Sequence, residues 1–207
     1  MIRFRGRMVT QERKLEMIKE LVKKSRSFRG YDESRKISRE ELLELVDCAR
    51  FVPSSVNRQP FQYLLACEQA DLDKIQPLTG WAKALPDMKL PHPGHCPQAF
   101  IVICQNTDWD PDLNRYIRDV GIVAQTMLLA AAEKELGGIM IGSFSPKRIA
   151  EAMKLPENIV PMLIVAFGKP DEKIILTEVE AGESLKYYRD EQDTHYVPKR
   201  KLKDIVL

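Results

Sequence analysis

The sequence lacks the short motifs that mark the commonest nucleotide-binding and hydrolytic sites. It contains no glycine-rich G-x-G-x-x-G, no P-loop and no nucleophile elbow. Acidic residues are numerous, but none has a distinctive acid–base spacing, so a hydrolase built on a catalytic triad is poorly supported. The 32 Lys and Arg residues nearly balance the 30 Asp and Glu residues, leaving a formal net charge of +2. This balance argues against a general nucleic-acid-binding protein.

Long apolar runs are also missing. No stretch approaches the length of a membrane span, and no apolar signal core follows the basic first residues, MIRFRGRM. We therefore expect a cytoplasmic protein with no membrane partner.

Cysteine is scarce, and its spacing does not suggest a metal site. Cys48, Cys67, Cys96 and Cys104 include no pair with metal-ligand spacing, so reduced thiols are the better interpretation. The segment PHPGHCP places two histidines next to Cys96, but a zinc site there needs a fourth ligand. We expect a loop with incidental histidines and no metal.

Hydrophobic patterning predicts one α/β domain over residues 1–207, more closely an α+β sandwich around a largely apolar sheet. Thr10 can cap a helix that runs to about Lys24, and SREE at 38–41 is a capping box for a second helix that Pro53 ends. Strands are expected at 61–67 and 99–104, then within GGIMIGS and MLIVAFGKP. Helices are expected at 112–136 and after the capping residue Ser145.

Two segments suggest contacts beyond a simple core. The helix segment GIVAQTMLLAAA is apolar nearly all round, so we expect it to be covered by its own chain or by a partner. Residues 171–207 are polar with short apolar stretches and lack the apolar surface to fold alone. We expect this C-terminal extension to wrap its own domain or a second subunit.

Three polar clusters are candidates for binding. Arg26 and Arg29, with Ser27 between them, suit a phosphate, and so does the basic run at 199–201; from spacing alone, a solvated basic patch is the favoured interpretation of each. The loop PSSVNRQP holds hydroxyl and amide groups between two prolines, and it is either a plain turn or a ligand loop. In MIGSF, Gly142 would let another molecule approach the backbone, unless this is a simple turn.

These pieces, in this order, resemble the FMN-dependent nitroreductase family over nearly the whole chain. The resemblance rests on SRSFR followed by ARFVPSSVNRQPFQY, on LGGIMIGSF after the long helix, on IVAFGKP, and on the basic segment PKRKLKDIV. It implies a mainly antiparallel mixed sheet flanked by helices, and a homodimer whose C-terminal segment extends onto the partner.

The resemblance also implies which residues bind the cofactor. Arg26, Ser27 and Arg29 would hold the phosphate, ribityl chain and pyrimidine edge of FMN, with Lys199 and Arg200 completing the phosphate site. The partner subunit would contribute its own loop, namely Pro53, Ser54, Ser55, Asn57 and Gln59. Gly142 and Ser143 would present backbone N–H groups to the flavin. Because the cofactor performs the chemistry, no catalytic side chain is expected.

The implied reaction passes a hydride from NADH or NADPH through FMN to a nitroaromatic, quinone or similar small acceptor in a ping-pong cycle. Two alternatives remain open. One keeps the fold but changes the chemistry, to reductive dehalogenation or flavin fragmentation, and would depend on the segment between Trp81 and Pro97. The other is a non-catalytic flavin- or nucleotide-binding regulatory module.

Overall fold

The computed structural model describes residues 11–82, 85 and 87–207, and for residues 11–15 it describes the backbone alone. The predicted cap Thr10 therefore lies outside the described residues. The helices are α1 Gln11–Lys24, α2 Arg39–Ala49, α3 Gln69–Ile75, α4 Ile117–Glu133 and α5 Pro146–Met153. The strands are β1 Tyr31–Asp32, β2 Phe61–Ala66, β3 Ala99–Asn106, β4 Gly137–Ile141, β5 Ile159–Pro170, β6 Ile174–Val179, β7 Tyr188–Arg189 and β8 His195–Arg200.

The main sheet is organised around the long strand β5. Strand β3 pairs with β5 on one side, with Ile101 opposite Val165, and β4 pairs on the other side, with Ile139 opposite Ala166. Strand β2 lies beyond β3, and β1 pairs with the last two residues of β5. All of these described pairings are antiparallel. The one parallel contact described at the edge of the main sheet is the isolated bridge between Ser27 and Gly138. In a second, smaller sheet, β6 runs parallel to β8.

Helices cover both faces of the main sheet because β3 is apolar on both. Ile101 and Ile103 point to a core that α2 and α4 complete, with Leu45 and Met127 among its buried side chains. Phe100, Val102 and Cys104 point to the opposite core, which α3 and α5 cover. Every residue of β3 is buried, as expected for a strand with helices on each side. The predicted sandwich is confirmed.

Local side-chain chemistry decides where the helices begin. The capping box is present: Ser38 Oγ accepts from the Glu41 N–H at 3.2 Å, and Glu41 accepts from the Ser38 N–H at 3.0 Å. Ser145 caps α5, with Pro146 in the first turn. Helix α4 begins at residue 117 rather than 112, because the Asp112 carboxylate accepts from the Asn114 N–H in a turn of its own.

The C-terminal extension folds onto its own domain. Strand β8 lies between β6 and β7, in a three-stranded sheet that we call the extension sheet. The extension contacts its own domain where the Glu172 carboxylate accepts from the Arg29 N–H and where Asp171 lies 3.1 Å from His95. Extension onto a partner subunit stays a prediction. In the described part of the chain, no helix is both long enough and apolar enough to cross a membrane.

Two glycines allow the segment of Arg26–Arg29 to dock on the edge of the main sheet. The Phe28 N–H donates to the Gly138 carbonyl at 3.2 Å, beside a bridge between Ser27 and Gly138. A Cβ on Gly137 would overlap the Phe28 ring, and one on Gly138 would overlap the Ala166 carbonyl oxygen. A side chain at Gly137 would push the segment off the sheet, and one at Gly138 would force β4 away from β5.

We therefore expect Gly138→Ala to destabilise the flavin-free protein by about 1–3 kcal/mol, because the added methyl meets backbone that cannot move aside. Gly142→Ala is the matched control, since no heavy atom lies within 4 Å of the position its Cβ would take. Its effect should stay within about 0.5 kcal/mol. Urea titration of both variants measures the difference, and equal midpoints would contradict the steric argument.

Candidate cofactor-binding site

A cavity of about 630 Å³ lies between the Arg26–Arg29 segment, α4 and the extension sheet. The residues that line it are Val22, Ser25, Arg26, Ser27, Arg29, Gln125, Leu128, Leu129, Met140, Ile174, Tyr187, His195, Val197 and Lys199. Three of these side chains are cationic and none is a carboxylate. The lining therefore suits an anionic ligand with an apolar portion.

Arg29 is the most constrained of the cations. It is 8% exposed, and its Nη1 donates to the Ser27 carbonyl at 3.0 Å. Its guanidinium lies 5.1 Å from the centre of the Tyr187 ring, and its Nε has no hydrogen-bond partner. Within the described residues, no carboxylate forms an ion pair with this guanidinium. A buried and uncompensated cation is costly, so the site is suited to a bound anion.

Arg26 and Lys199 add positive charge to the lining of the same cavity. Arg26 is half-buried and donates to the Val22 carbonyl at 2.6 Å, and burial lowers the pKa of its guanidinium. Lys199 is exposed and lines the cavity. Arg200 follows it in β8, and successive strand residues point to opposite faces, so Arg200 points away from the cavity. Lys199 and Arg200, which the sequence analysis placed together at the phosphate, thus lie on opposite faces of β8.

A buried ion pair fastens the extension sheet to this segment. Glu172 accepts from the Arg29 backbone N–H and pairs with Arg189. The two side chains of the pair are only 4% and 3% exposed. Arg189 also reaches Asp193 at 2.9 Å. The carboxylate of Glu172 is therefore used in holding the backbone of Arg29 and the side chain of Arg189.

His195 and Tyr187 form the wall contributed by the extension sheet. Their rings stack with centroids 5.1 Å apart and planes at 27°. His195 is 1% exposed and its Nδ1 has no partner in the described structure. Burial, followed by the charges of Arg29 and Arg189, lowers the pKa of His195 to about 4. The imidazole is consequently neutral at physiological pH and adds no charge to the three cations.

The loop PSSVNRQP lies elsewhere and is held by a carboxylate that the sequence analysis missed. Asp119, in the first turn of α4, accepts from the hydroxyls of Ser54 and Ser55, each at 2.9 Å, and from the Ser55 N–H at 2.7 Å. The only sequence signal was an isolated Asp at the start of an apolar helix. The hydroxyl protons of both serines are thus used within the chain, and the oxygens keep acceptor capacity.

This loop adopts an uncommon backbone. Val56, Asn57 and Gln59 have φ values of 48°, 53° and 51°. A positive φ is a genuine outlier for a β-branched residue such as Val56, whose side chain is 88% exposed. Gln59 Nε2 donates to Asn57 Oδ1 at 3.0 Å across the turn. Such strain concentrates at ligand-binding and switch regions, which favours a binding loop over a plain turn.

The loop borders a second, smaller cavity of about 290 Å³. Its lining residues are Ala49, Arg50, Val52, Pro53, Ser54, Gln59, Phe61, Tyr63, Trp109, Asp119 and Val123. The described linings of the two cavities share no residue. Val123 borders the small cavity and Gln125 the large one, two residues apart on α4 and so about 200° apart around the helix axis. One chain therefore keeps the two predicted groups apart.

Gly142 and Ser143 follow β4 and line neither cavity. Gly142 comes two residues after Met140, which does line the large cavity, and the space around Gly142 is open. The Ser143 carbonyl accepts from the Gly80 N–H at 2.7 Å. Gly142 is exposed at the end of the strand, where a ligand that extends past Met140 could reach it, whereas Ser143 is half-buried and packs against Gly80.

The histidine-rich segment faces the extension. His92 lies 3.3 Å from Asp193, and His95 lies 3.1 Å from Asp171. In the described chain, no group of three or more His, Cys, Asp or Glu side chains could hold a metal ion. The four cysteines are free, and burial raises the pKa of the Cys104 thiol to about 12.

Comparison with known proteins assigns the fold. The model of the Nitroreductase family matches residues 22–169. A protein of Archaeoglobus fulgidus, named as a candidate NADH dehydrogenase/NAD(P)H nitroreductase, is 29% identical over 158 residues, which are 72% of this chain and 83% of the relative. The chain thus belongs to the Nitroreductase family, as the sequence motifs predicted.

Solved structures agree with this assignment. A nitroreductase family protein from Clostridium difficile 630 is 28% identical with a TM-score of 0.60, covering 74% of this chain and 84% of its own. A candidate nitroreductase from Exiguobacterium sibiricum, solved in complex with FMN, is 22% identical with a TM-score of 0.62, covering 74% and 88%. The predicted nitroreductase fold is confirmed.

The Asp119 contacts generate a prediction about pH. Burial raises the pKa of Asp119, but the hydrogen bonds from Ser55 and Ser54 outweigh it, so the pKa lies below its ordinary value. A lowered folded-state pKa stabilises the protein above the unfolded-state value near 3.9, and this contribution disappears as the pH falls through the folded-state pKa.

Asp119→Asn should therefore destabilise the protein by about 1–3 kcal/mol at pH 7, since an amide cannot accept all three hydrogen bonds. The difference from the wild type should shrink on acidification below about pH 4. Thermal unfolding at both pH values measures it. Asp108→Asn is a control in a nearby exposed turn, and a deficit that does not depend on pH would contradict the role of the Asp119 charge.

Proposed function

We propose that this protein passes a hydride from NADH or NADPH through bound FMN to a small acceptor, a nitroaromatic, quinone or similar compound, in a ping-pong cycle. Family membership already makes the chain an NAD(P)H-dependent flavin oxidoreductase of the nitroreductase kind. The acceptor class, the cycle and the residues that bind the cofactor are the proposal. The observation that carries it is the cavity lined by Arg26, Arg29 and Lys199, with Arg29 buried and unpaired.

The chemistry of these residues fits FMN. Guanidinium and ammonium groups donate to phosphate oxygens, and the apolar side chains of Leu128, Leu129 and Met140 line the same cavity. When bound, FMN supplies the hydride transfer. The protein would supply binding, orientation and charge.

The large cavity has two ends along strand β8, one at His195 and one at Lys199. His195, Val197 and Lys199 alternate along one face of β8, so His195 and Lys199 lie about 13 Å apart at a rise of about 3.3 Å per residue. That separation is too large for both to hold one phosphate. We assign Lys199, with Arg26, to the phosphate end, and Arg29, beside Tyr187 and His195, to the ring end.

We also propose that two subunits share each site. Helix α4 exposes Ile117, 63%, and Ile122, 42%, and α1, which packs against it, exposes Met17 and Ile18. Together with Phe51 and Val56, these apolar side chains suit a protein–protein interface. A two-fold axis across antiparallel α4 helices would bring one subunit's loop to its partner's large cavity. Pro53, Ser54, Ser55, Asn57 and Gln59 would then complete the site.

The proposal is tested by loading the purified protein with FMN, removing unbound flavin and adding NADH or NADPH without oxygen. We expect a yellow protein whose absorbance bleaches. Flavin that stays bound and unreduced would instead favour the regulatory module.

Two neighbouring variants test the phosphate end. Lys199→Ala should weaken FMN binding by about 1.5 kcal/mol, or tenfold, and leave riboflavin binding nearly unchanged, because riboflavin lacks the phosphate. Arg200→Ala removes the same charge from the opposite face of β8 and should change neither affinity. Equal losses in both variants would show that only the overall charge matters.

A mixed dimer tests the shared site. One chain carries Asn57→Ala and the other Lys199→Ala; both positions are exposed, so neither change should unfold the protein. If subunits share sites, both lesions fall in one site and the other stays intact, so FMN titration gives one wild-type affinity and one much weaker affinity. Two equally weakened sites would refute the cross-subunit assignment.

A further inference from the structure

The extension sheet supplies side chains to the cavity from outside the region that matches the family model. That match ends at residue 169, yet the lining includes Ile174, Tyr187, His195, Val197 and Lys199. Tyr187 directly precedes β7, and His195 is the first residue of β8. Their contribution to the site is therefore not implied by the matched region, and it has to be argued from their contacts.

Tyr187 is the side chain that meets the guanidinium of Arg29. The cation lies 5.1 Å from the ring centre, within the range of an attractive cation–π contact. Apart from this ring, the side-chain contact seen in the described residues is the hydrogen bond from Nη1 to the Ser27 carbonyl. The buried Arg29 guanidinium is thus held by one hydrogen bond and by the face of the Tyr187 ring.

His195 braces the Tyr187 ring without competing with Arg29. The two rings stack at 5.1 Å, and His195 is almost completely buried. Because its imidazole is neutral, it neither repels Arg29 nor attracts the anionic ligand. The Glu172–Arg189 pair then ties the strand next to Tyr187 to the backbone of Arg29. The Tyr187 ring thus contacts both the Arg29 guanidinium and the His195 imidazole.

We propose that Tyr187 is a positioning residue: its ring, braced by His195, holds the Arg29 guanidinium at the ring end of the flavin site and thereby increases the preference of the site for reduced flavin. This inference rests on the proposed function. Positive charge near the pyrimidine edge stabilises the reduced, anionic ring more than the oxidised, neutral one. A displaced Arg29 would weaken the binding of reduced FMN and change the binding of oxidised FMN much less.

The test compares three tyrosine variants of the full-length protein loaded with FMN. Tyr187→Leu removes the aromatic face, Tyr187→Phe keeps it, and Tyr188→Leu is the matched control. Tyr188 is half-exposed and stacks on Tyr196 at 5.0 Å, on the other face of the extension sheet. The measurements are the affinity for oxidised FMN, by fluorescence titration, and the midpoint potential of the bound flavin.

For Tyr187→Leu we expect reduced FMN to lose about tenfold in affinity relative to oxidised FMN, which is a potential lower by about 30 mV for a two-electron couple. Tyr187→Phe and Tyr188→Leu should keep the wild-type potential. His195→Leu, which removes the brace, should lower the potential in the same direction and keeps the test decisive if Tyr187→Leu does not fold.

The outcomes separate this inference from the proposed function. If the wild type takes up no FMN, the proposed function fails and the positioning role fails with it. If the wild type binds FMN and Tyr187→Leu and His195→Leu keep the wild-type potential, only the positioning role is overturned. An equal shift in Tyr188→Leu would also overturn it, because that variant leaves the Arg29 contact intact.

Discussion

The close contact between the Arg26–Arg29 segment and strand β4 is the constraint on which the site depends. Because Gly137 has no side chain, Phe28 can pack on it, and because Gly138 has none, β4 can lie close to β5 while the Gly138 carbonyl accepts from the Phe28 N–H. Strand β4 is held in turn by β5, which pairs with β3 through the centre of the core. The position of the Arg29 backbone is thus fixed, through β4 and β5, by the most buried strands of the molecule.

That rigidity has an electrostatic consequence. A surface arginine would be solvated, but Arg29 is buried by the fold before any ligand arrives, and the Glu172 carboxylate that accepts from its backbone N–H is paired with Arg189. The site therefore carries an excess of positive charge in the absence of a ligand. A site already organised in this way needs little rearrangement to bind an anion, which reduces the entropic cost of binding.

Local sequence chemistry predicted much of the fold. The capping box at Ser38 and Glu41, the cap at Ser145 and the apolar strand β3 each depend on neighbouring residues, and the structure confirms them. The extension sheet escaped prediction because β6 and β8 pair in parallel across 21 residues, from Ile174 to His195, and no local pattern encodes such a pairing. Short strand β1 was missed for a similar reason, since two residues carry no periodic signal.

The candidate site, like the fold, could be predicted from the sequence only in part. The motif around Arg26, Ser27 and Arg29 was visible in the sequence, and the structure brings these residues together with Lys199 in one cavity. Asp119, Tyr187 and His195 were not identified, because a buried partner is recognised only once the elements are packed. The serine hydroxyls of the loop illustrate the difficulty: residue type suggested ligand binding, whereas their protons are donated to Asp119 within the chain.

Helix α4 lies between the loop PSSVNRQP with its small cavity and the large cavity that contains Arg29. It borders the small cavity with Asp119 and Val123 and, on its opposite side, the large cavity with Gln125, Leu128 and Leu129, and it exposes the apolar side chain of Ile122. An isolated chain leaves that side chain in water and the strained loop without a ligand. Pairing two antiparallel α4 helices about a two-fold axis would bury the exposed side chain and would set the start of one helix beside the end of the other. Burial of the helix and completion of the site would then be a single event, so that loss of the dimer would also remove the cofactor site.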